Sequence, residues 1–418
     1  MLSHDFWQEK TLLRFMLGSL FSTQGVWIQR LTLGWMTWSA THSETWVGLI
    51  AFFNFFPTVV LGPVFGVLAD RVNVRAGVVT LAFWNAFISA GMAVLIGLGY
   101  QSPYLFVGFA LLLGLTTSMY QPLRLSLVPD LVKQEKYLQR AVASNSIIFN
   151  TSRFIGPAVA GVVINHWGNA AAFVATALFY LPMPLMLMTA TLYAPQKEKS
   201  AGKPKSVLEE FRSGLGYVRK HEFISCLLLV TLFTTVFARA FLELLPALVQ
   251  SWFNEGVAQL AILTSSAGIA AVVSGLWLSG LKRRDAMLRA TRTGSLLTSL
   301  VVILLGSFSN FYVGVVAVAL LALCSSMAGI GSQTLLQMNV DRHYRGRVMS
   351  LWGALIMGGA SVGSLLLGSL MELVGNQPVM LAAGVLSFIS CLVVTRRLKQ
   401  ADERLEKPPV TEPQVVHS

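Results

Sequence analysis

Four ionisable side chains, Arg30, Arg153, Arg239 and Glu243, stand inside runs of apolar residues rather than at their edges. A charge near the middle of a bilayer costs about 2.5 to 3.5 kcal/mol on insertion scales, so such a residue faces a watery pathway or a partner. Three guanidiniums against one carboxylate leave the set net positive. That balance suits an anionic ligand held by charge-assisted, bidentate hydrogen bonds. The expected substrate-binding residues are therefore Arg30, Arg239 and Arg153, with Gln24 on the same run as Arg30. Glu243 is the one acid deep within a run, which makes it the expected proton-coupling residue, its protonation releasing Arg239. Arg239 and Glu243 are four residues apart and so share a helix face; a purely structural ion pair is the other reading of them. A tie to neighbouring carbonyls is the other reading of Arg153.

The elements that must carry these residues follow from composition. Of 418 residues, 54% are hydrophobic and 12% are charged, against about a quarter charged in soluble domains. A hydrocarbon core about 30 Å thick needs roughly 20 apolar residues per helix. That signal recurs at 12–38, 46–67, 76–98, 103–123, 141–164, 169–192, 222–250, 257–281, 290–307, 311–336, 349–372 and 377–395. The runs lack the alternation of membrane strands, and only helices or closed barrels satisfy a backbone in lipid. The expected fold is an all-α membrane protein with twelve transmembrane helices in two six-helix halves. The first run is too long for a signal-peptide core and reads as helix 1.

The net charge of +12 would suggest nucleic acid in a soluble chain. Here 28 of the 31 basic residues fall on one side of the alternating topology, and none falls in the six short loops on the other. The positive-inside rule then places both termini in the cytoplasm and leaves nucleic acid no role. The expected organisation is an N-terminal half at 1–192, a cytoplasmic linker at 193–221, a C-terminal half at 222–395 and a flexible tail at 396–418. Within the linker, 206–219 is amphipathic. An internal repeat supports two halves: at an offset of 207 residues, Arg140, Gly156, Gly161 and Gly168 fall on Arg347, Gly363, Gly368 and Gly375.

Motifs narrow the reading. Gly66 to Arg75, Gly-Val-Leu-Ala-Asp-Arg-Val-Asn-Val-Arg, resembles the loop signature after helix 2 of the major facilitator superfamily. The resemblance implies a conformational latch of Gly66, Asp70, Arg71 and Arg75, with Asp70 meeting a helix N-terminus across the halves. Asn73 and Val74 depart from that signature. Gly156-Pro157 with Gly161 is similar to the packing motif of the superfamily's exporters, where small residues admit close approach and Pro bends the helix. Gly25 to Arg30, Gln121 to Arg124 and Arg345 to Trp352 resemble the enterobactin-exporter branch.

That branch implies secondary export by alternating access, often of siderophores or hydrophobic drugs. The expected protein is a monomeric, multi-pass exporter of the bacterial inner membrane. It moves an anionic, siderophore-like small molecule to the periplasm by proton antiport; its partners are substrate, proton gradient and lipid bilayer. Multidrug efflux of lipophilic compounds is one alternative. A non-transporting sensor or assembly factor is another. No cofactor, metal or enzymatic role is expected: the three cysteines stand apart, the histidines fall in loops, and no nucleophile has a plausible base.

Overall fold

The computed structural model describes residues 10–69, 73–132, 137–190, 193, 207–281 and 283–406. Among them the chain is helical, without a strand. The N-terminal part contains α1 (Lys10–Thr41), α2 (Glu44–Ala69), α3 (Val74–Gly97), α4 (Pro103–Ser126), α5 (Leu138–Tyr180) and the short α6 (Pro182–Met188). A separate helix, α7 (Val207–Lys220), precedes α8 (Glu222–Phe237), a 3-10 turn at Arg239–Leu242 and α9 (Leu245–Ser251). The remainder is α10 (Val257–Ser279), α11 (Arg284–Ser307), α12 (Phe311–Asn339), α13 (Arg345–Val374) and α14 (Asn376–Glu406).

Among the described residues, nine helices are long and apolar enough to cross a membrane, or ten if the α7–α8 pair, bent by 112°, counts as one span. The expectation of twelve differs from that count at three places with physical causes. α1 carries Gln24, Gln29 and Arg30 on its apolar surface. The stretch Arg140–Met188 counts once although its 49 residues, at 1.5 Å each, run about 74 Å, more than twice the hydrocarbon thickness. It turns at Gly168, whose φ of 81° and ψ of 177° break the helix between two spans. The expected helix at 222–250 is divided at the 3-10 turn.

That division follows from Pro246 in the first turn of α9. Proline has no N–H to offer the Leu242 carbonyl, and its ring would collide with that carbonyl in a continuous helix. The backbone tightens instead: Phe241, Glu243 and Leu244 donate to Ala238, Ala240 and Phe241. Arg239 and Glu243 thus bracket a helix break rather than sharing one α-helical face, which corrects the expected intrahelical pair.

Glycine seams hold the helices together, as small residues do where lipid removes the hydrophobic drive between helices. A Cβ at Gly156 would come within 2.5 Å of the Trp27 Cβ, so α5 lies close against α1. A Cβ at Gly161 would strike Ala261 on α10, joining the two parts of the chain. Pro157 leaves the Arg153 carbonyl without its usual helical donor, and Gly268 of α10 packs against that oxygen. Ser265 of α10 donates to the Phe154 carbonyl at 2.9 Å.

Beyond the last apolar residues α14 continues to Glu406, so the first part of the expected flexible tail, 396–406, is helix; 407–418 lie outside the described residues. Arg284 pairs with Asp402 at 2.6 Å and Arg404 with Glu222 at 2.9 Å, tying this extension to the starts of α11 and α8. Helix α7 occupies the expected amphipathic stretch and rests on the C-terminal part. Tyr217 stacks on Tyr344 and donates to Asp341 at 3.1 Å, and Arg347 donates to Ser213 at 3.0 Å.

Candidate functional site

The charged residues converge where the two parts of the chain meet. Arg30 of α1 reaches Glu243, at the end of the 3-10 turn, with a separation of 3.7 Å. Both side chains are partly open, 24% and 21% exposed. Glu243 is therefore paired across the molecule, not with Arg239 on its own segment. Arg153 lies within electrostatic reach of Arg239, Glu243 and Arg30, so one field embraces all four. Among the described residues, neither Arg153 nor Arg239 has an ion pair within 4 Å.

Aromatic faces orient two of these cations. The Arg30 guanidinium lies 4.2 Å from the Phe55 ring centroid and 5.3 Å from that of Trp27. Arg153 lies 5.7 Å from the same Trp27 ring. Guanidinium over an aromatic face gains cation–π attraction while its N–H groups stay in plane and available. Sequence reasoning drew no site from Trp27 or Phe55. Trp27 stands three residues before Arg30, a spacing that places both on one helix face; Phe55 arrives from α2 and only tertiary packing reveals it.

Gln24 is 5% exposed, and its Oε1 lies 3.2 Å from where a Gly156 Cβ would stand. It belongs to the α1–α5 seam. Gln29, also buried, receives the Tyr180 hydroxyl at 3.3 Å. Of the latch residues, Asp70 and Arg71 lie outside the described residues, and Gly66 is described only as part of α2. Arg75 donates to the Met188 carbonyl at 2.6 Å, closing the end of α6. Asn73, where the signature has Gly, caps α3 by accepting from the Ala76 N–H at 3.1 Å.

A further buried cation escaped the sequence reading. Arg124 of α4, named there only as the end of the Gln121 to Arg124 stretch, is 1% exposed. It donates to Asn145 of α5 at 2.8 Å and to Gln121 at 3.1 Å. The Gln121 contact is readable from its i,i+3 spacing; the Asn145 contact needs the fold.

The halves are also joined at the end of the bundle where α1 turns into α2 and α13 into α14. The Trp38 indole donates to Gln250 at 2.7 Å. Glu372 accepts from the Ser43 hydroxyl at 2.5 Å and the Thr45 N–H at 3.2 Å, satisfying a donor that the first turn of α2 cannot. A Cβ at Gly368 would stand 2.5 Å from the Glu44 carbonyl, and one at Gly48 2.5 Å from that of Ser364. Ser361 donates to the Phe52 carbonyl at 3.0 Å.

A cationic, aromatic-flanked cluster where the two parts of the chain meet can hold an anion between them. A family model described as transmembrane secretion effector matches residues 7–417. The staphyloferrin A transporter of Staphylococcus aureus is 25% identical over 345 residues, covering 81% of this chain and 84% of that protein. The enterobactin exporter EntS of Citrobacter koseri is 28% identical over 384 residues, covering 88% and 86%. Among solved structures, the nucleoside transporter NupG superposes with a TM-score of 0.67 at 12% identity over 95% of this chain and all of that one, a likeness of fold alone. With a family match along nearly its whole length and many apolar helices, this multi-pass membrane chain belongs to the transmembrane secretion effector family of major facilitator transporters.

Proposed function

We propose that the chain is a bacterial inner-membrane exporter that carries an anionic, siderophore-like small molecule from cytoplasm to periplasm by alternating access, energised by proton antiport. The observation that carries this reading is the Arg30–Glu243 pair, which joins α1 to the broken α8–α9 segment inside a cluster of three arginines. Discontinuous helices beside a charged midplane site are a recurring device of secondary transporters. The relatives named for staphyloferrin A transport and enterobactin export support the substrate class.

Twelve crossings follow if α1 and the α8–α9 segment each cross once and Arg140–Met188 crosses twice. Both termini are then cytoplasmic, and the Trp38–Gln250 and Ser43–Glu372 contacts close the periplasmic end. The molecule so arranged is ready to load from the cytoplasm as a monomer. Antiport requires proton and substrate to exclude one another at Glu243. A substrate hydroxyl or amide donating to the ionised Glu243 carboxylate favours that condition, because the charge-assisted hydrogen bond it makes is about twice as strong as one to a protonated carboxyl. The substrate's anionic group meanwhile takes the in-plane N–H donors of Arg30 that Glu243, at 3.7 Å, leaves open.

Secretion by iron-limited cells tests the reading. A strain lacking the gene is expected to retain an anionic metabolite that wild-type cells release, and E243Q is expected to cut its release at least about tenfold, the loss of one charge-assisted contact. A pH dye sealed inside proteoliposomes reads the coupling: substrate and protons crossing in the same direction would overturn antiport.

A further inference from the structure

We propose that the substrate carries at least two anionic groups and bridges Arg30 and Arg153 across the Trp27 indole. The inference rests on the anionic-substrate reading above and adds a valence and a spacing to it. Both guanidinium carbons lie near one ring centroid, at 5.3 and 5.7 Å, so they are at most 11.0 Å apart. A single small molecule spans that distance.

Both cations are held by π faces rather than by acceptors. Arg30 rests on Trp27 and Phe55, and Arg153 on Trp27. Each guanidinium has five in-plane N–H donors, and among the described residues none from either arginine makes a hydrogen bond within the protein. Among the described residues, the one carboxylate within 4 Å of either cation is Glu243, which stands 3.7 Å from Arg30, beyond hydrogen-bond length. One carboxylate cannot neutralise three arginines. A monoanion on Arg30 would leave Arg153 unanswered in a membrane interior; a second anionic group on the same molecule answers it and fits the planar fork bidentately.

Trp27 is the specificity-determining residue of this arrangement, because both guanidiniums rest on its ring, which keeps the two forks within 11.0 Å of one another. It is itself fixed by Gly156, which brings α5 against the Trp27 Cβ. The site therefore selects for the distance between two carboxylates as well as for their presence.

The experiment uses the full-length protein in nanodiscs of phosphatidylethanolamine and phosphatidylglycerol, titrated calorimetrically with two series. One series is the straight-chain dicarboxylates from succinate to suberate, and the other is the monocarboxylates of equal carbon number. At the best chain length the dicarboxylate is expected to bind at least about tenfold tighter than its monocarboxylate, the worth of one further charge-assisted contact. R153Q is expected to erase that advantage, weakening the best dicarboxylate at least about tenfold more than its monocarboxylate. R153K, which keeps the charge and a similar length, retains part of it and separates loss of the cation from loss of the fold. Equal affinity of the two series at every length, or equal weakening of both by R153Q, overturns the bridge while leaving an anion site at Arg30. Absence of binding by either series overturns the anionic-substrate reading with it.

Discussion

The N-terminal and C-terminal parts of the chain repeat the same joints with different consequences. Gly156 presses α5 against α1 at Trp27, and Gly363, 207 residues later, presses α13 against α8 at Val236 and against Ala240. Gly161 meets Ala261 at the start of α10, across the molecule, and Gly368 meets Glu44 at the start of α2, across the molecule in the other direction. Gly168 and Gly375 take matching backbone conformations, with φ of 81° and 88°, where each part reverses direction. Positive φ with extended ψ is a conformation that residues with a Cβ rarely adopt. The helices on which Gly156 and Gly363 lean nevertheless differ. α1 runs unbroken for 32 residues, whereas its counterpart is cut at the 3-10 turn by Pro246. The unbroken helix offers rigid aromatic and cationic surface; the broken one offers Glu243. A duplicated framework thus becomes an asymmetric site through a single interrupted helix.

The largest expected effect comes from filling the paired glycines. Overpacking costs about 1–3 kcal/mol or more. At Gly363 the obstruction is the Val236 backbone carbonyl, and at Gly156 it begins with the Trp27 side chain. G363L is expected to lose the monodisperse folded species, and G156L to lower the melting temperature while still yielding protein. Size-exclusion profiles and thermal unfolding in detergent read the difference; equal losses would make the two joints equivalent and weaken the contrast. Next in size is P246A, which lets α8 and α9 approach the continuity of α1. In a continuous helix a proline at this position would cost about 3 kcal/mol, and alanine removes that obstacle. The variant is expected to hold or raise thermal stability while transport falls about tenfold. Faster transport would mean that the break has no part in the cycle. The smallest effect is expected at the seam joining the two parts. Q250L removes the acceptor of Trp38, and one hydrogen bond is worth about 0.5–1.5 kcal/mol. Distances between spin labels on α1 and α9 are expected to show the separated population rise from a few-fold to about tenfold, and an unchanged distribution would mean that Trp38–Gln250 is incidental to closure.

Much of this arrangement was readable beforehand because lipid imposes a length on apolar runs and leaves little choice of backbone. The boundaries of α3, α4, α10 and α12 lie within a few residues of the expected spans. The repeat was visible for the same reason: glycine at a close helix crossing has no substitute of equal size. What escaped is what depends on the approach of distant segments. Pro246 was in plain view, yet proline is common in membrane helices and bends many without dividing them. The partner of Glu243 could not be read from spacing, since Arg239 at four residues was the nearer candidate in sequence and Arg30 the nearer in space. The extension of α14 was hidden because its charged surface reads as solvated tail until Arg284 and Glu222 are brought beside it.

Arg124 gives the N-terminal part a property the central arginines do not share. Its guanidinium is enclosed between α4 and α5 and gripped by two neutral amide oxygens. Arginine stays protonated throughout the range a cell experiences, and a side-chain amide does not titrate there. The brace therefore feels neither acid nor base. Whatever the pH on either side of the membrane, α4 and α5 thus stay pinned to one another by a charge that neither loses its proton nor meets a partner that gains one.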